Sequence, residues 1–248
     1  MVKITILLII LQENRLNKVE KFLQGQITSD INLIPNKSFQ LSAICNQKGQ
    51  VMADFMIHKS NNYKVIIASK LSDIFIHELS PFAKFFGASF EIDKQYIYGH
   101  ITKEKQPPSY ITNELFSLSI ELCKNKKTLE EELEYKDWVF ANKIASNFNL
   151  NETDVAIYRP LELNYDKLRV AFDKGCFRGQ EIIARMKYLG VDRRKFINII
   201  SQEKIAESKN LKILGEILNY KGYCVANAII KKDSIKEYSI ENPETLIF

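Results

Sequence analysis

The sequence predicts an α+β protein followed by a small all-β module, and three observations carry that expectation. Across residues 1–192, strand-like apolar runs alternate with only a few helical patterns. Past Gly190, the runs KFINIIS, LKILGEILN, YCVANAIIK and TLIF succeed one another almost without helical pattern, which suggests a β-barrel over residues 193–248. The composition is that of a folded chain: 46% of 248 residues are hydrophobic, with only 9 Gly and 6 Pro. That length can bury a sizeable core in one large domain or two smaller ones.

Residues 4–11, ITILLIIL, are apolar and rich in β-branched side chains, and Gln12, Glu13, Asn14 and Arg15 come directly after. The run is too short to span a bilayer and has no small-x-small cleavage site. It is expected to be a buried strand of a cytoplasmic protein that does not meet a membrane. LNKVEKFLQGQI then sets Leu16, Val19, Phe22, Leu23 and Ile27 on one helical stripe. FQLSAICN and QVMADFMIH read as strands joined by Asn46-Gln47-Lys48-Gly49, where Gly49 supplies the positive φ of a hairpin.

YKVIIA is a third strand, after the turn-forming Ser60-Asn61-Asn62. A helix over residues 71–79 is expected to end, kink or restart at Ser80-Pro81. ASFEI, YIYGHI and ELFSLSIEL read as strands, with KEKQPPS a loop among them. Thr128-Leu129-Glu130-Glu131 fits a capping box. The helix it opens, EEELEYKDWVFANKIASNF, holds the single tryptophan, Trp138, expected as a core anchor rather than a ligand platform.

Composition removes several function classes. The net charge of +5 is mild and spread along the chain, without the aromatic-basic pattern of direct RNA readout. Cys45, Cys123, Cys176 and Cys224 are separated by 78, 53 and 48 residues, and His58, His77 and His100 are equally dispersed. Such spacing gives neither a self-contained metal or iron–sulfur site nor a disulfide framework. No dinucleotide fingerprint, phosphate-binding loop, nucleophile elbow or zinc-helix motif is present.

One stretch carries chemistry: FDKGCFRGQEIIARM, residues 172–186. Ile182, Ile183, Met186 and Leu189 keep a helical apolar face, and Glu181 to Arg185 is an i,i+4 ion pair. The helix should begin near Gly179 or Gln180, which puts Cys176 just outside its positive end. With Lys174 and Arg178 beside it, the thiol is expected to be partly thiolate at neutral pH. A tight turn whose cysteine merely fills space fits the same residues, and the stretch alone leaves both readings open.

Lys174-Gly175-Cys176-Phe177-Arg178-Gly179-Gln180-Glu181 closely resembles the K-G-C-[YF]-x-G-Q-E signature of the YgfZ family, relatives of the glycine cleavage T-protein. FLQGQITSD, from Phe22 to Asp30, is similar to the family's F-L-Q-G-Q-x-T-x-D. Lys48-Gly49-Gln50-Val51 matches its hairpin, and Pro160, Asn164 and Leu168 match the lead-in to the cysteine turn. Ile183-Ala184-Arg185 with Gly190 matches the helix and turn after the cysteine. In order, these segments cover most of residues 22–190. The resemblance implies a T-protein-type fold, with intertwined α+β subdomains around a central hole and a C-terminal β-barrel. It also implies a tetrahydrofolate-type ligand in that hole, and a role in assembly or repair of iron–sulfur enzymes, some of which modify tRNA.

On that match, Cys176, Lys174 and Asp54 are the residues expected to carry any chemistry. Gln180, Glu181, Arg185, Asn164 and Gln26 are expected near the ligand. The chain also departs from the pattern. The T-protein's paired hairpin aspartates reduce here to Asp54 alone, Arg178 stands where Thr or Ser is common, and residues 143–149 lack the family's Gly and Pro. Three functions are compatible: a folate-dependent accessory factor for iron–sulfur client proteins with Cys176 as thiolate; a folate-dependent one-carbon transferase with Asp54 as acid–base residue; or a module docking on tRNA or protein with a structural Cys176.

Overall fold

The computed structural model describes residues 1–4, 7–12, 16–60, 62–93, 95–103, 109–128, 133–190, 193–242 and 244–248, without the side chains of residues 2–17, 240 and 241. Along the chain run β1 (Val2–Ile4), β2 (Leu7–Gln12), α1 (Leu16–Gln26), β3 (Phe39–Cys45), β4 (Val51–Lys59), β5 (Tyr63–Ile67) and α2 (Ser69–Phe86). Then come β6 (Ser89–Asp93), β7 (Tyr96–Thr102), β8 (Ser109–Thr112), β9 (Ser117–Cys123) and α3 (Tyr135–Ile144). A 3-10 turn (Pro160–Leu163), α4 (Tyr165–Leu168) and α5 (Gln180–Tyr188) precede β10 (Arg194–Ser201), β11 (Leu211–Tyr220), β12 (Tyr223–Lys231), α6 (Ile235–Glu241) and β13 (Leu246–Ile247).

Among the described residues the strands form three antiparallel sheets, ordered β3-β4-β5-β2-β6, β1-β7-β9-β8 and β11-β12-β10-β13. The apolar N-terminal run is thus not one strand. β1 pairs with β7 in the four-stranded sheet, whereas β2 lies between β5 and β6 in the five-stranded one. An unbroken apolar run carries no mark of where it changes sheets, which is why sequence pattern merges the two.

The five-stranded sheet is covered on one face by α1 and α2. Val19, Phe22 and Leu23 from α1 and Leu71, Phe75 and Leu79 from α2 pack with Ala53, Phe55 and Ile57 of β4. Burying each large side chain there contributes about 1.5–3 kcal/mol. The α2 stripe at four-residue spacing continues to buried Ala83, so the helix runs through Pro81 and stops at Gly87, in the left-handed conformation at φ 71. Ser80, Pro81 and Phe82 face solvent, where water can satisfy the carbonyl that proline frees.

The other face of the sheet carries a row across three strands: Leu41 of β3 opposite Met56 of β4, and Met56 opposite Ile66 of β5. This row packs with Ile97, Leu118 and Ile120 of the second sheet and with Trp138 and Ala141 of α3. α3 begins at Tyr135, where the Glu134 amide donates to the Asp137 carboxylate at 2.9 Å. The capping box expected at residues 128–131 falls largely outside the described residues.

The C-terminal sheet has its own core around Ile197, Ile199, Leu211 and Ala228, and sends Phe196, Leu214 and Ile229 into the main one. Asn227 Nδ2 donates to the Lys143 carbonyl at 3.1 Å, and Asn198 Nδ2 to Ser146 Oγ at 2.7 Å, so the sheet docks on the end of α3. α6 is a short helix that the strand-rich C-terminal pattern does not announce. No helix of the described residues is long and apolar enough to cross a membrane.

Candidate functional site

Asp54 lies two residues before Met56 on β4 and so faces the same side of the sheet. A cavity of about 150 Å³ opens there, between the β3–β4–β5 face, β8 and α3. Leu41, Met56 and Ile66 form its apolar floor, Tyr110 and Trp138 its aromatic walls, and Asn142, Asn147, Asn149, Asp54 and Arg169 its polar side.

Arg169 organises that polar side. The residue is 2% exposed, and its Nη2 lies 3.2 Å from Asp54 Oδ2. Nη2 also donates to Asn147 Oδ1 at 2.8 Å and Asn149 Oδ1 at 3.2 Å, while Nη1 donates to the Ser42 and Phe55 carbonyls, each at 3.2 Å. The guanidinium stacks over the Tyr165 ring at 4.7 Å. Asp54 Oδ1 accepts from the Leu150 amide at 3.1 Å. Burial pushes the Asp54 carboxyl up, against the pull of Arg169 and the Leu150 amide. Burial also raises the Tyr110 phenol, which stays a protonated hydrogen-bond donor.

One group in this network is left over: Arg169 Nε is buried without a hydrogen-bond partner. An orphaned cationic donor is costly to keep. With the neighbouring amides and flat aromatic walls, it suits a heterocycle that offers acceptor atoms at its edge.

A second constellation lies where α1 ends and α5 begins. Lys174 Nζ donates to the Ile27 and Ser29 carbonyls, both at 2.8 Å, and the Arg178 amide donates to the Gly25 carbonyl at 3.2 Å. Arg178 pairs with Glu78 at 2.6 Å and lies over the Phe82 ring. The turn between these anchors carries Cys176 at the surface, whereas Cys45 is sealed and its thiol is pushed up to about 12 by burial. The two cations that flank Cys176 in sequence therefore have partners of their own.

Thr28 links the two places. Its hydroxyl donates to the Arg169 carbonyl at 2.7 Å, and its own carbonyl accepts from the Ala171 amide at 2.9 Å.

Of the eight residues expected from sequence, only Asp54 lines the cavity. Cys176 and Lys174 sit in the anchored turn. Gln180 starts α5, its amide bonded to the Phe177 carbonyl at 3.1 Å. Gln26 ends α1 with its Oε1 buried and unpartnered. Asn164, at φ 60, caps the 3-10 turn and enters α4. Glu181 and Arg185 pair on the outer face of α5 at 3.3 Å, exposed by 83% and 57%. Trp138 is buried as expected and lines the cavity as well. Arg169, Tyr110 and Asn142 are cavity residues that sequence reasoning misses, whereas Asn147 and Asn149 belong to the segment 143–149 that departs from the family pattern. The one signal for Arg169 is a lone cation inside the apolar LRVAF.

Lys174 gives a pH test of this packing. Burial lowers its ammonium to about 8, with Asp30 opposing. A lowered lysine contributes stability that is fully present above its unfolded value of 10.5 and lost as pH falls through about 8. Urea midpoints should show wild type gaining on Lys174→Met between about pH 8 and 10, with a constant difference below about pH 7. A difference that shrinks over the upper window would contradict a buried ammonium.

No family model matches the chain. The glycine cleavage system aminomethyltransferase T from Bartonella henselae superposes with a TM-score of 0.63 at 12% identity, covering 93% of this chain and 77% of that one. The fold is therefore that of the aminomethyltransferase T-proteins. An uncharacterized protein of Haemophilus influenzae is 30% identical over 201 residues, 76% of this chain and 70% of the relative. The tRNA-modifying protein YgfZ of Buchnera aphidicola subsp. Schizaphis graminum is 28% identical over 220 residues, 75% of this chain and 69% of the relative. Within that fold class, the chain belongs to the YgfZ family. It spans 62–80% of the length of the curated relatives it matches.

Proposed function

We propose that this protein binds tetrahydrofolate or a derivative in the central cavity and acts as an accessory factor for iron–sulfur enzymes, including those that modify tRNA. The observation that carries the ligand is the unpartnered Arg169 Nε beside Asp54, in a cavity that Tyr110 and Trp138 also line. At about 150 Å³ the cavity is below the usual range of about 300–1,000 Å³ for ligand sites, so it takes the bicyclic head and leaves the tail outside. When bound, the folate supplies the one-carbon carrier. Arg169 and the asparagine amides orient the head, and the Tyr110–Trp138 pair shields it from water on one side.

Relatives named as tRNA-modifying support the accessory role. In this reading Cys176 is the working thiol, presented at the surface on an anchored turn where a client protein can reach it. One thiol cannot ligate a cluster alone, so a client, glutathione or a second chain provides the remaining ligands.

Trp138 makes the ligand measurable. Folinic acid is expected to quench its fluorescence saturably and to raise the melting temperature. Absence of both at concentrations well above micromolar would remove the folate reading. Cys176→Ser is then expected to fail, where wild type succeeds, in restoring an iron–sulfur enzyme's activity in cells lacking this protein. Full rescue would assign the cysteine to the turn.

A second reading, one-carbon transfer, is favoured by Asp54, whose carboxyl is raised by burial and faces the same cavity. It requires that Asp54→Asn bind folinic acid and yet lose turnover.

A further inference from the structure

A groove of about 360 Å³, larger than the central cavity, runs between the 3-10 turn, α5 and the start of β10. Arg159, Arg185, Arg193 and Arg194 line it, and Ile182 and Met186 of α5 give it an apolar wall. We propose that it is a phosphoryl-binding site for a small phosphorylated molecule, separate from the folate cavity.

Charge accounting points to an anion. Among the described residues Glu162 is the single acidic residue of the lining, and it is already engaged: Oε1 pairs with Arg194 at 3.1 Å, and Oε2 accepts from the Arg159 amide at 2.9 Å. The acidic partner of Arg185 is the exposed Glu181, the kind of pair that holds weakly. Among the described residues, neither Arg159 nor Arg193 has an acidic partner. Arg159 Nε is moreover buried with no hydrogen-bond partner.

The four cations come from three stretches of chain, just before the 3-10 turn, on α5 and at the start of β10, so folding brings them together before any ligand arrives. Arg194 also borders a neighbouring groove of about 270 Å³ that carries Lys209, Lys212 and Lys231. Positive walls of this kind concentrate anions at the surface.

The two guanidinium groups without an acidic partner among the described residues set the class of anion. They match the charge of about −1.5 to −2 on a phosphomonoester at neutral pH, and a single carboxylate supplies less. Guanidinium forks suit phosphate oxygens through paired, charge-assisted hydrogen bonds. The wall of Ile182 and Met186 then accepts the apolar part of the molecule.

Inorganic pyrophosphate, inorganic phosphate and glutarate are the probes, each titrated at fixed ionic strength with thermal and calorimetric readouts. Pyrophosphate and phosphate are expected to bind saturably and raise the melting temperature, with glutarate weaker. Arg193→Gln, an exposed position that should fold normally, is expected to weaken pyrophosphate binding about tenfold to a hundredfold. Arg159→Gln should do the same. Folinic acid binding by Arg193→Gln should stay at the wild-type level, so failure in the groove leaves the cavity reading intact. Absence of saturable phosphate or pyrophosphate binding would overturn the site. So would an equal response from Arg193→Gln, which would mark a general salt effect, or glutarate binding as tightly as phosphate.

Discussion

Replacing Arg169 with methionine is expected to lower stability by about 3–5 kcal/mol, because it strands a buried carboxylate. The guanidinium is the largest fully buried side chain described, and it holds four acceptors from three stretches of chain: the Ser42 carbonyl, the Phe55 carbonyl, Asn147 and Asn149. Asp54 would keep the Leu150 amide and the Tyr165 hydroxyl but no cation. Urea denaturation at neutral pH measures the loss. The double variant Arg169→Met, Asp54→Leu should recover part of it, since removing both charges is less costly than isolating one. A cost under about 1 kcal/mol, typical of an exposed pair, would mean that the network does not hold the cavity. Folinic acid binding should be lost in both variants.

The second large effect is expected at Gly179. Its φ is +82, and a Cβ there would come within 2.5 Å of the Asn46 carbonyl oxygen and 3.1 Å of Gly49 Cα. Both obstacles are backbone and cannot swing aside. A Cβ added at Gly49, at φ +70, would likewise come within 3.1 Å of Ile182 Cβ, so the two glycines let the β3–β4 hairpin lie directly against the first turn of α5. Gly179→Ala should cost at least about 2 kcal/mol from backbone strain and collision together. Gly175 belongs to the same motif but has nothing within 4 Å of its Cβ position, and Gly175→Ala should stay within about 0.5 kcal/mol of wild type. Equal losses by chemical denaturation would show that close approach is not the reason for Gly179.

Local chemistry is legible in the sequence and long-range chemistry is not. The hairpin turn at Gly49, the α1 stripe from Val19 to Ile27 (Leu16 lies outside the described side chains) and the Glu181–Arg185 pair rest on neighbours a few residues apart, and all three are present in the structure. So is the fold class, because the motif segments recur in order along the chain. Arg169 is the opposite case. Its carbonyl partners lie 127 and 114 residues away, and no periodicity reports an ion pair between β4 and a loop that comes after a helix. The arginines at 159, 185, 193 and 194 likewise reach one groove only after folding. Pro81 does not end the helix, because the buried stripe on either side carries α2 through it, and that stripe outweighs a penalty read from the helix alone.

The divided N-terminal run has a consequence for how the chain is made. β1 waits for Ile97, Tyr98 and Gly99, and β2 for residues 63–67 and 89–93. During vectorial synthesis, β2 therefore has no strand partner until residues 63–67 have emerged, and β1 has none until residues 97–99 have. The five-stranded sheet has all its strands once residues 89–93 are made, before β7 exists to receive β1, so two strands that adjoin in sequence find their places at different times.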